Sequence, residues 1–399
     1  MINPSISGWI DKYFHENENN FIDFKGSFTS FYKTVRESGF IYGYTISFNL
    51  KESYPIEKFS QDEITKVGLL TSLYYVYTLV TGDTDSKNFI KTAKNFYKEV
   101  QHENYIFLKN ILPSANNSSK LEVIINDRIQ TNANFISKNF SHIITNALLF
   151  IDVLAFFNYL KAKNHFSAKY IKDFELCCIK IVSLALNVKQ NKTKYDELII
   201  KLFENSLRYT KSPEFEESSL EKLNFQDYPH ILERLYLLDL TEMALWNDEK
   251  LESKELQFLN EIIIRLQLEH INLDNSCQNI DQFISKYKEE IPYFNYSNPV
   301  KHFYDQTNKT VTKLIIRNKN RLIKEISESK ELMILLLQST SRELDETEKK
   351  KVKKQLLDIC KTIPSLTIFL LPGGGILLPI LIKYIPQLLP SSFNENLED

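Results

Sequence analysis

The chain has 399 residues, 43% of them apolar, enough for two or three domains with buried cores. Its 49 basic and 51 acidic residues leave a net charge of −2, which excludes a polyanion-binding character spread over the whole surface. No phosphate-cradling, dinucleotide or nucleophile-elbow glycine pattern occurs, and the seven histidines form no helical pair for zinc, so neither an enzyme nor a cofactor is expected.

The four cysteines, Cys177, Cys178, Cys277 and Cys360, make no C-x-x-C pair and fit a reducing compartment. The opening "MINPSISGWIDKYFHENENN" lacks a basic stretch followed by an apolar run, so no secretory leader is expected. Glycine placement is more informative. The nine glycines stand at 8, 26, 39, 43, 68, 82 and 373 to 375, with none between Gly82 and Gly373. Sheets need glycine for the positive φ of tight hairpins, whereas helix bundles turn on Asn, Asp, Ser and Pro. An all-α fold follows.

Residues 1–60 form an N-terminal region in which "GFIYGYTISFNL" (39–50) reads as a short strand or as an extended arm on helices. Residues 61–215 read as a helical domain: "TKVGLLTSLYYVYTLV", "ITNALLFIDVLAFFNYLKAK", "AKYIKDFELCCIKIVSLALNV" and "KYDELIIKLFENSLRY" carry apolar residues at helical spacing. The uncharged run Val67–Gly82 covers 16 residues, short of the roughly 20 a membrane span needs, and reads as a core helix.

Residues 216–275 contain a helix, a polar turn and a second helix. Leu235, Leu238, Met243 and Leu245 line the first; Leu251 returns to the core, Glu252 or Ser253 caps, and Leu256, Leu259, Ile263 and Leu266 line the second. The pair resembles the tellurite-resistance TerB-like domain, and residues 73–97 have a similar shape. Asp248, Glu252 and Glu255 offer carboxylates to a divalent cation. The turn lacks calcium-loop spacing, so solvated acids at a helix start are the preferred reading.

Residues 276–345 read as a long helical connector, with Asn298 as cap, Pro299 at its first position and a stripe of Val311, Leu314, Ile315, Leu322 and Ile326. Its other face carries Lys313, Arg317, Lys319, Arg321 and Lys324, a candidate surface for anionic headgroups or ribosomal RNA, or a merely solvated face.

Residues 346–393 open with a predicted amphipathic helix. Asp345 and Glu348 make a capping box, Val352, Leu356, Ile359 and Ile363 form the stripe, and Lys349, Lys350, Lys351, Lys353 and Lys354 lie on the polar side. An uncharged run of 21 residues, Thr362–Ile382, follows this cationic flank, as the positive-inside rule asks of a cytoplasmic border. Pro364, Pro372, Gly373, Gly374, Gly375, Pro379, Lys383, Pro386, Pro390 and Phe393 punctuate it. A kinked span, a re-entrant hairpin and a docked soluble hairpin all satisfy the pattern.

The proline intervals of eight, seven, seven and four, in step with Asp358, Lys361, Lys383 and Phe393, resemble the membrane segment of the leucine zipper–EF-hand-containing transmembrane protein family over about 348–393. The whole chain is similar to bacterial, biofilm-associated relatives of that family. The resemblance implies membrane lipid as a partner, with the ribosome and other proteins as further candidates and no DNA. It implies a cytoplasmic protein anchored by its C-terminal part at the inner membrane, a regulator or scaffold in cation homeostasis or envelope physiology. A cation/proton exchanger is a further alternative. Gly375 stands where the family's membrane carboxylate would be, and a lysine such as Lys383 repels cations. In the family a ribosome-binding domain follows this segment; this chain departs from that pattern, with six residues after Phe393.

Overall fold

The computed structural model describes the chain except residues 1, 53, 102–115, 130–145, 147, 163–167, 190–218, 247–250, 288–310, 364–365, 367–380, 383–384 and 386–399. The protein is all-α, with no strand among the described residues. These residues form two compact units, one within 2–56, 64–129 and 146–287, the other comprising 57–63 and the described residues from 311 onward.

The first unit contains α1 (Trp9–Glu16), α2 (Phe28–Glu37), α3 (Gln61–Thr81, from residue 64), α4 (Ser86–Gln101), α5 (Asn117–Ile129), α6 (Phe150–Lys161), α7 (Ala168–Val188), α8 (Ile231–Leu245), α9 (Ser253–Arg265) and α10 (Leu273–Tyr287). Its centre is α8, buried at every position from Tyr236 to Leu245 and packed on α2, α7, α9 and α10. A helix enclosed on all sides is apolar on all sides, and the polar residues it keeps must be hydrogen-bonded. Thr241 accordingly donates to the Leu237 carbonyl. The expected stripe is therefore too narrow, because the whole circumference of α8 is core.

The uncharged run after Val67 is a core helix as expected, buried without interruption from Val67 to Tyr77. Residues 39–50 take the arm alternative. A 3₁₀ turn, Phe40–Tyr42, lies between Gly39 and Gly43, both at positive φ, and Tyr44, Thr45 and Phe48 of the extended segment are buried. The Tyr75 hydroxyl donates to the Asn49 carbonyl at 2.5 Å. Both helix–turn–helix pairs form, α3 with α4 and α8 with α9. On α9 the buried apolar positions are Phe258, Leu259, Ile262 and Ile263, whereas Leu256 is exposed.

The second unit contains the helical residues 311–317, α11 (Lys319–Glu328), α12 (Lys330–Ser341) and α13 (Glu346–Thr362). The predicted stripe Val311, Leu314, Ile315, Leu322 and Ile326 is buried, with Leu332, Leu336, Val352, Leu356 and Cys360 in the same core. The expected single helix is interrupted at Asn318, whose side-chain amide donates to the Leu314 carbonyl at 2.7 Å. An asparagine that bonds its own backbone competes with the helical ladder. Asn298 and Pro299 lie outside the described residues.

Candidate nucleic-acid interface

Helix α13 begins where Asp345 accepts the backbone N–H groups of Thr347 and Glu348 while Glu348 accepts that of Asp345, the expected capping box. Val352, Leu356, Ile359 and Ile363 are buried, as expected. Opposite them, Lys350, Lys354 and Lys361 recur at steps of four and seven and lie along one outward line.

Four acids of this region have a basic partner. Glu346 pairs with Lys349 at 3.2 Å, Glu331 of α12 with Lys351 at 2.8 Å, Asp358 with Lys361 at 2.6 Å, and Glu348 with Arg342 at 2.7 Å. The Arg342 hydrogen bond pulls the Glu348 carboxyl down to about 2, and the Lys351 hydrogen bond lowers that of Glu331. Lys350, Lys353 and Lys354 are exposed and make no ion pair among the described residues.

The basic connector behaves unevenly. Lys319, Arg321 and Lys324 are exposed on α11, without an ion pair among the described residues. Arg317 departs from the expected surface role. Within the second unit its guanidinium forms a two-pronged pair with Glu63, at 2.6 and 2.7 Å, and Glu63 is 1% exposed. Lys313 keeps an exposed stem while its Nζ donates to the Phe59 carbonyl at 3.4 Å. The signal for Glu63 was present in the sequence, because Ser60-x-x-Glu63 is itself a capping pattern, and the Ser60 N–H donates to Glu63.

Of the apolar residues described in the terminus, Ile363, Leu366, Leu381 and Ile385 are buried in the second unit's core and Ile382 packs against it half-buried. Pro364, Pro372, Gly373, Gly374, Gly375, Pro379, Lys383, Pro386, Pro390 and Phe393 lie outside the described residues. No helix among the described residues is long and apolar enough to cross a membrane. For the divalent-cation candidates the geometry gives another role. Glu255 accepts the Glu252 backbone N–H in a capping box on α9, and Asp248 lies outside the described residues. No cluster of possible metal ligands occurs among the described residues.

Fold and face together define an all-α protein with a locally cationic helical surface. Residues 344–399 match the family model described as "LETM1-like, RBD", the ribosome-binding domain of the leucine zipper–EF-hand-containing transmembrane family. That match spans the proline-punctuated segment, which the resemblance places ahead of the family's ribosome-binding domain. No curated protein and no solved structure matches the chain.

Proposed function

We propose that the second unit is a ribosome-docking module whose lysine-lined α13 contacts RNA phosphates, and that the protein works as a non-enzymatic scaffold. The observation that carries the reading is the set Lys350, Lys353 and Lys354, exposed and without an ion pair among the described residues, inside the region similar to a ribosome-binding domain. Hydrated ammonium groups held on a rigid helix suit phosphate oxygens and release counterions on contact. Lys319, Arg321 and Lys324 add cations on a neighbouring helix of the same unit. Sucrose-gradient sedimentation of ribosomes with the full-length chain tests it. Wild type comigrates, and Lys350→Gln, Lys353→Gln, Lys354→Gln together abolish comigration while leaving the circular-dichroism spectrum intact. Undiminished comigration of the triple variant would overturn the reading.

Membrane attachment through residues 362–382 is the second reading, favoured by the uncharged run after a cationic flank. The buried Ile363, Leu366, Leu381 and Ile385 rank it second, since apolar side chains inside their own core are not available to lipid. Full-length protein that partitions to the supernatant at high salt without detergent would eliminate it. A role in cation homeostasis or envelope physiology rests on either attachment. Exchange of cations for protons is not expected, with Gly375 in place of a titratable group.

A further inference from the structure

The core of the first unit holds a carboxylate cluster that the docking role does not use. Asp239 and Glu242 stand three residues apart on α8, 4% and 3% exposed. Arg36 of α2 reaches both, with its Nε 2.8 Å from Asp239 and its Nη2 3.2 Å from Glu242. Asp239 is fully supplied with donors, from the Tyr32 hydroxyl at 2.6 Å, the Tyr42 hydroxyl at 2.8 Å and Arg36. Glu242 is not. Its Oε2 accepts from Arg36 and from the Ser276 hydroxyl at 2.9 Å, while its buried Oε1 has no hydrogen-bond partner among the described residues.

The charges do not balance. One guanidinium matches one carboxylate, and a second buried carboxylate with a bare oxygen is costly unless it is neutral. The groups facing Glu242 are Asp239 on its own helix, Arg36 from α2 and Ser276 from α10, with Tyr32 and Tyr42 reaching it through Asp239. Of the other helices on α8, α7 carries the buried Glu175, and α9 carries the buried Glu255, which is occupied by the Glu252 backbone. Ser276 is the point at which α10 covers the cluster, because Arg36 also donates to its carbonyl at 3.0 Å. Farther along α10, Phe283 packs on Tyr42, and the Trp246 indole N–H reaches Asp281 at 3.4 Å.

We propose that Glu242 carries a proton at neutral pH and that losing it in mildly alkaline solution loosens α10 from α2 and α8. Ionised Glu242 leaves one net negative charge in the core, and its bare oxygen demands water, which enters most directly by displacing Ser276. Burial, reinforced by Asp239 and opposed by Arg36 and Ser276, pushes the Glu242 carboxyl up to about 8, in keeping with this geometry.

Two readings on the full-length chain test the proposal. Infrared difference spectra should show a protonated carboxyl band at about pH 6.5 that is gone by about pH 9 and absent from Glu242→Gln. Hydrogen exchange across 273–287, corrected for intrinsic rate, should lose roughly tenfold in protection over the same interval in wild type and stay flat in Glu242→Gln. Equal protection at both ends, or a pH dependence that survives in Glu242→Gln, overturns it. Should that variant not fold, the wild type alone decides: coincident midpoints of band and protection support the switch, and separate midpoints sink it.

Discussion

Arg317 shows how one residue's role depends on a partner that its neighbours in the chain do not announce. Read in order, it is one cation among several on a basic helix face. In space it is the counter-ion of Glu63, 254 positions away, and Glu63 is 1% exposed. Removing one member of a buried pair leaves the other uncompensated, so Arg317→Ala should destabilise the protein by about 3–5 kcal/mol in urea titration. Neutralising Lys319, Arg321 and Lys324 together should change stability by only about 0.5 kcal/mol each. Their positive charge was legible because exposure needs no partner; the pairing of Arg317 was not, since it depends on a tertiary contact. His230 supplies a pH test. Burial, with Lys161 adding to it, lowers its imidazole to about 4, and its Nδ1 accepts the Leu232 N–H at 3.3 Å. The unfolded chain takes up that proton near pH 6.5, so stability should fall as pH drops from there through about 4. Glu242 acts in the opposite sense, its raised value removing stability as pH climbs from about 4.5 through about 8. Thermal melts across this range should flatten on the alkaline side in Glu242→Gln and on the acid side in His230→Phe.

At the level of elements, helical periodicity and local caps were read well. Helix α7 runs from Ala168 to Val188, matching the quoted stretch, and α13 starts at its predicted cap. Asp345→Ala should cost about 0.5–2 kcal/mol, since Thr347 and Glu348 lose their acceptor. Leu356→Ala, at a fully buried position, should cost about 2–5 kcal/mol. Denaturant midpoints measured at constant slope will check both values. Two features escaped a reading by periodicity. The break at Asn318 depends on which way one amide turns, and an uninterrupted apolar stripe runs straight across it. The enclosure of α8 depends on how many helices surround it, whereas a hydrophobic stripe reports only that at least one does.

Over the whole molecule, the absence of glycine between 82 and 373 was enough to read the fold class, because local turn chemistry separates bundles from sheets. The proposed docking surface was legible only in part: its lysines stand out, yet which of them pair within the unit is decided by Glu331, Glu346 and Asp358. If about three phosphates are contacted through Lys350, Lys353 and Lys354, log affinity for ribosomes should fall with log salt at a slope of roughly −2 to −3. Removing one of the three lysines should reduce that slope by about one, whereas loss of an apolar contact would weaken binding without altering it. Titrating potassium chloride against ribosome sedimentation distinguishes the two.

The hydrogen bond from Tyr32 to Asp239 joins residues 207 positions apart, with α2 on one side and the enclosed α8 on the other. During synthesis at about 5–20 residues per second, the inner surface of α2 therefore waits roughly 10–40 s for its partner to be translated. Nascent chains halted before residue 231 should be cut readily by protease within 28–37, and chains extended past 287 should resist.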